Sequence, residues 1–229
     1  MRINADFSVL ASVHTDRIPW LASPMPGVKR KMLDRIGEEV ARATSIVRYA
    51  PGSVFAPHTH TGGEEFLVLS GVFQDEHGDY PAGSYVRNPP QSRHTPGSEA
   101  GCTIFVKLWQ FDLADRTAVR LRPDDVRYQP VPNRAGVLVG ALHEDSRESV
   151  RLEHWSPGAK VHLNLPRGGE ILVLSGSYSD AEAHFGPYDW ARFPVGSHFR
   201  VVAGGAGAHV WVKTGHLAHF DSQDPVPRG

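Results

Sequence analysis

The sequence predicts an all-β protein of two tandem sandwich-like barrels that arose by internal duplication. The first observation is a repeat: Phe66-Leu67-Val68-Leu69-Ser70-Gly71 returns as Ile171-Leu172-Val173-Leu174-Ser175-Gly176, a shift of 105 residues. Ala50-Pro51-Gly52 returns as Ser156-Pro157-Gly158, Val106-Lys107 as Val212-Lys213, and Pro24-Met25-Pro26 as Pro130-Val131-Pro132, each shifted by 106. Short identities in one order at near-constant spacing are the mark of a duplicated unit. The second observation is punctuation, because 23 glycines and 18 prolines break the chain into short runs, as strands joined by tight turns require. The third is the scarcity of helix-period apolar patterning. Only Lys31 to Ala43 reads as a helix candidate, and its counterpart Val137 to Val150 contains Val-Leu-Val, so strand and loop are expected in both.

Within the first unit, Thr44 to Tyr49 alternates, Pro51-Gly52 turns, Phe66 to Leu69 is apolar, Gly83 to Arg87 alternates, and Thr103 to Phe111 forms a further strand. Turns at Gly62-Gly63, His77-Gly78 and Pro89-Pro90 separate them. Roughly eight strands per barrel fit this count. The charged stretch Asp112 to Asp125, ending Arg122-Pro123-Asp124-Asp125, is the expected connection, with units over 1–115 and 116–229.

Composition narrows the function classes. Lys plus Arg total 24 against 25 Asp plus Glu, a formal charge of -1, without a long block of one sign. No direct nucleic-acid contact is therefore expected. Apolar runs such as Phe66 to Leu69 fall far short of the ~18 residues that span a bilayer, and the first twenty residues carry Arg2, Asp6, Asp16 and Arg17. An unprocessed, soluble, cytoplasmic protein without membrane attachment is expected. Cys102 stands alone, so an internal disulfide and a thiolate zinc cluster are both excluded and any metal must use nitrogen and oxygen donors.

One constellation supplies such donors. His58-Thr59-His60 sets two imidazoles on one face of an extended strand, since side chains at i and i+2 point the same way. After Thr61-Gly62-Gly63 comes Glu64, and His94 follows the Pro89-Pro90 corner. Two histidines from one strand, a carboxylate from its neighbour and a third histidine from a later strand can meet inside a barrel. Such a set suits Zn, Fe, Mn or Ni. Among 13 histidines a lone His-x-His carries little weight. Its spacing to Glu64, Gly71 and His94 carries more.

Gly52, His58, His60, Glu64 and Gly71 resemble the first cupin motif, G-x5-H-x-H-x(3,4)-E-x6-G, and Gly83, Pro89 and His94 resemble the second. Gln91 and Ser98 replace a Gly and an Asn of that second motif. The resemblance implies double-stranded β-helix, or jelly-roll, barrels with His58, His60, Glu64 and His94 as ligands of one divalent metal in the N-terminal barrel. Glu65, on the opposite face of the strand, is left as a surface or supporting group. The run from Ala50 to Gly71, with Asp75-Glu76 and Gly83-Ser84-Tyr85, is similar to the cupin domain of ChrR-type anti-sigma factors and more distantly to acetylacetone-cleaving dioxygenases.

In the second unit the ligand pattern is lost. Counted from the Pro-Gly turn, His58, His60 and Glu64 map to Asn164, Pro166 and Glu170; counted from Val-Leu-Ser-Gly, the histidines map to Leu163 and Leu165. His94 falls on Phe199 or, with one gap, on His198. His162, Glu170 and His198 are expected to be structural, in a degenerate barrel.

Two functions follow from the resemblance. One is a zinc-bearing ChrR-like module that senses a small molecule or an oxidant; the other is a non-haem Fe(II) dioxygenase cleaving a carbon bond beside a ketone. A sigma-factor partner is not expected, because only about twenty residues precede the region of likeness and no helical domain does. If His58 and His60 face inward, Val54, Ala56, Phe66 and Val68 share their faces and would line an apolar pocket, although an ordinary barrel-core role is the preferred reading of each. Cys102 is expected to be a small buried side chain, Lys107 and Lys213 to be structural, and exposed barrel edges to favour a homodimer.

Overall fold

The computed structural model describes residues 1–219. Among them are 22 strands and three short 3-10 turns, with no α-helix, and no helix is long and apolar enough to cross a membrane. Lys31 to Ala43 is strand and turn, lying across Val28–Gly37 and Ala41–Tyr49. Among the described residues two compact units form, one from Met1–Ala5 and Pro19–Asp125, the other from Asp6–Ile18 and residues 126–219.

The expected 115/116 division therefore differs from the structural one at both ends. Val119–Leu121 adds an edge strand to Tyr85–Asn88 and stays with the first unit. Ala11–Val13 pairs with Trp190–Phe193, which places it in the second. Both are tertiary pairings of short edge segments, which carry little local signal.

Each unit is an antiparallel jelly roll with one strand order. In the first it runs Val28–Gly37, Ala41–Tyr49, Cys102–Leu108, Glu64–Asp75, Tyr85–Asn88. In the second it runs Val137–Glu144, Ser149–Trp155, Ser197–Thr214, Gly169–Ser179, Trp190–Phe193. Phe66, Val68, Phe73, Val86, Ile104 and Val106 pack as one core. Val161, Leu165, Ile171, Val173, Val210 and Val212 belong to the core of the other unit.

The repeated Leu-Val-Leu-Ser-Gly is a bend. In Glu64–Asp75 the register slips by one residue opposite Thr103/Ile104, and Gly71 follows with φ of +73°. A Cβ there would lie 2.0 Å from the Gly101 carbonyl oxygen. The second unit repeats the device: a slip between Val173 and Ser175, then Gly176 with φ of +69°, where a Cβ would lie 2.2 Å from the Gly207 oxygen. Only glycine satisfies both the left-handed backbone and the close approach.

Gly71→Ala should lower the unfolding free energy by more than about 3 kcal/mol, since it adds overpacking to backbone strain. Gly52→Ala, where φ is also positive (+74°) but nothing lies within 4 Å of the added Cβ, should cost about 1–2 kcal/mol. Urea unfolding midpoints of the two variants check the order.

Candidate metal centre

His58–His60 pairs with Ser92–His94, setting His94 across from His58 and Ser92 across from His60. Three imidazoles gather there, each offering a ring nitrogen within 4.8 Å of the others. His60 Nε2 lies 2.9 Å from His94 Nε2. Glu64 opens the neighbouring strand, and its Oε2 stands 3.4 Å from His60 Nε2 and 3.6 Å from His94 Nε2. His60, Glu64 and His94 are buried, whereas His58 is exposed.

The surrounding hydrogen bonds fix which atoms face inward. Asp75 Oδ2 lies 3.3 Å from His94 Nδ1, and the Ala56 carbonyl lies 3.2 Å from His58 Nδ1. With Nδ1–H donated outward, each ring turns the Nε2 lone pair toward the centre. Asn88 Nδ2 donates to the same Glu64 oxygen that faces the histidines, at 3.2 Å. Burial lowers the His60 pKa and outweighs the charge of Glu64, so that ring stays neutral. Burial acts the same way on His94, but its hydrogen bond to Asp75 and the charges of Glu64, Asp75 and Glu76 outweigh it and raise its pKa. Lone pairs and a carboxylate aimed at one small volume are complementary to a cation, so the residues present fit a divalent metal ion.

A cavity of about 420 Å³ opens onto this centre, with His58, His60 and Glu64 in its wall. Its apolar wall comes from Val28, Val47, Tyr49, Phe55, Ile104 and Val106. Phe66 and Val68 are core residues behind it, in keeping with the barrel-core reading, whereas Val54 is 80% exposed and Ala56 is exposed, so neither of those belongs to wall or core. Strict alternation from His58 back to Val54 fails because Ser53–Val54 pairs with Gly97–Ser98 as a separate edge and Phe55 to Pro57 is not strand.

Glu65 is not a surface group: it is 1% exposed and accepts a hydrogen bond from Tyr85 at 2.9 Å. Lys107 and Arg87 sit across from it on the two flanking strands. In the second unit Lys213 and Arg192 sit across from Glu170 in the same way, and Trp190 donates to it at 3.1 Å. Glu170 is thus the counterpart of Glu65, and the mapping of Glu64 onto Glu170 is corrected. Lys107 donates to Thr44 at 2.9 Å and Lys213 pairs with Glu148 at 2.9 Å, both fully buried. Cys102 is buried, and burial pushes its thiol up to about 11, so no reactive thiolate is available there.

Register assigns the remaining counterparts. Leu163 faces Phe199 and Leu165 faces Ser197, so Leu163, Leu165 and Phe199 stand where His58, His60 and His94 stand in the first unit. Gly169 replaces Glu64, and Phe193 replaces Asn88. Leu165, Phe199 and Phe193 pack into the apolar core, and a Cβ on Gly169 would meet Leu165 at 3.1 Å. His162 and His198 are exposed while Glu170 is buried, so the structure does not bring those three together.

Asp75 and Asn88 were not singled out as site residues by sequence. Asp75 ends the strand that Glu64 begins, and only the bend at Gly71 returns it to His94.

Residues 9–112 match a family model described as a ChrR Cupin-like domain. No curated protein matches the chain in sequence. Solved structures share the fold across nearly the whole chain. A candidate dioxygenase from Nostoc punctiforme PCC 73102 aligns with TM-score 0.71 and 13% identity over 97% of this chain and 85% of its own. YlbA from E. coli gives TM-score 0.69 and 14% identity over 92% and 93%. The pirin YhhW from Escherichia coli, in complex with nickel(II), gives TM-score 0.64 and 13% identity over 90% and 98%.

Asp75→Asn should weaken divalent-metal affinity by about 10–100-fold, the usual effect of losing the carboxylate behind a ligating histidine. Competition titration with a chromophoric chelator measures it, with Asp79→Asn, at an exposed position, as the control.

Proposed function

We propose that the first unit is a divalent-metal centre working as a non-haem, oxygen-using enzyme on a small organic molecule bound in the adjoining cavity, with a ketone-bearing carbon skeleton as the substrate class. The observation that carries this reading is that His58, His60 and Glu64 form part of the cavity wall. A ligand in that space meets the donor cluster directly. Imidazole nitrogens with one carboxylate oxygen suit iron, manganese, nickel or zinc.

His58, His60, His94 and Glu64 would hold the ion, which supplies Lewis-acid polarisation of a ligand oxygen and a place to bring dioxygen beside it. Asp75 holds the His94 ring in one tautomer, and Asn88 steadies the Glu64 oxygen that faces the histidines. Val47, Phe55, Ile104 and Val106 exclude water from the space where the substrate rests.

A second reading is a zinc-bearing sensory module. Glu64 supports it, since one carboxylate oxygen near both buried imidazoles completes four donors, and four donors close a tetrahedral zinc ion. In that case the ion braces the barrel and the cavity only binds.

Metal analysis of protein purified without added ions, followed by anaerobic Fe(II) loading and oxygen-uptake assays on β-diketones, separates the two. The enzyme reading expects oxygen consumption that His94→Ala abolishes together with metal retention. Stoichiometric zinc with no turnover after iron loading overturns it in favour of the module.

A further inference from the structure

The cavity wall carries two cations, Arg30 and Arg35, together with Glu39. Arg35 is 4% exposed, and its guanidinium donates to the backbone carbonyls of Glu38 and Glu39. Arg30 pairs with Glu39 at 3.3 Å. The Nε of each arginine is buried without a hydrogen-bond partner among the described residues. Burial, and then the charge of Arg30, hold the Arg35 pKa below its usual value, so the two guanidiniums feel one another. Among the described residues Glu39 supplies the carboxylate on Arg30, at a side-chain exposure of 65%. Exposed ion pairs of this kind contribute little and exchange readily.

The second unit provides an internal comparison. Arg30 lies across from Val47 and Arg35 across from Ala43. Their counterparts by register are Val139, across from Glu153, and Glu144, across from Ser149. Both cations are therefore present only in the unit that has the histidine cluster. Charges that serve the fold, such as Lys107 and Arg87, recur as Lys213 and Arg192. The Val47 position of the second unit holds Glu153, fully buried and gripped by Arg134 at 3.0 Å and Arg151 at 2.7 Å. That unit supplies its own carboxylate to two arginines.

Resting on the metal-centre reading above, we propose that the cavity selects a small organic anion, whose carboxylate is taken by Arg30 and Arg35 in exchange for Glu39 while its apolar body fills the space leading to the histidines. Arginine pairs suit this task because their planar donors match a carboxylate and cannot be deprotonated at physiological pH.

The test uses succinylacetone, its homologue longer by one methylene, their methyl esters, and acetylacetone, titrated calorimetrically into Ni(II)-loaded and metal-free protein. At least one acid should bind about tenfold or more tightly than its ester, the size expected for charge-assisted hydrogen bonds. Arg30→Gln and Arg35→Gln should bring acid and ester to within about twofold of each other, with acetylacetone binding and nickel stoichiometry unchanged. Glu39→Gln should tighten the acid and leave the ester as it was, and with Arg30→Gln it decides the matter if Arg35→Gln fails to fold. Equal affinity for acids and esters in the unmodified protein, or a preference that survives both arginine changes, overturns the anion assignment while leaving the metal centre standing. An acid preference in metal-free protein that fails to retain nickel sustains the arginine pair and overturns the metal reading instead.

Discussion

The candidate metal centre depends on one bent strand. Glu64 and Asp75 are the two ends of a single strand, and both touch His94, one from each side of its ring. A straight strand of that length would hold its ends roughly 36 Å apart at ~3.3 Å per residue. The slip opposite Thr103/Ile104 and the left-handed Gly71 fold it back. The carboxylate beside the donor cluster and the carboxylate that orients a donor therefore reach one imidazole by a backbone geometry open only to glycine.

The same bend stands in both units, but what it encloses differs. In the first unit it encloses three imidazoles, a carboxylate and an open cavity. In the second, leucine and phenylalanine replace the histidines, Gly169 replaces the acid, and Leu165 closes onto the space that acid vacates. Losing one ligand alone would leave buried imidazoles and a buried charge without a partner, which is costly. Replacing the whole set with apolar side chains removes the cost and adds core. One frame thus yields a polar site and a packed interior according to a handful of side chains.

Buried charge follows the same division. Glu65 with Lys107 and Arg87, and Glu170 with Lys213 and Arg192, occupy matched register positions in both units and belong to the frame. Arg30, Arg35, His58, His60, Glu64 and His94 have no residue of the same type at the matched positions of the second unit. Comparing the halves of one chain separates structural polar groups from chemical ones, a distinction that burial alone does not make.

The all-β class, the repeat and the histidine cluster were legible in the sequence because each rests on a local pattern. Alternation and glycine placement declare strands and turns, and His58 and His60 share a face by strand period. The second unit's loss was legible too, but its alignment was not: a slip of one residue exchanges the faces of a strand, which is why Glu170 matched Glu64 by counting and Glu65 by register. Asp75, Asn88, Arg30 and Arg35 lie on different strands from the histidines, and the cavity wall comes from strands far apart in the chain. Their meeting was decided by antiparallel pairing and by the bend, because non-local contacts are set by register and backbone curvature, quantities that no short window of sequence contains.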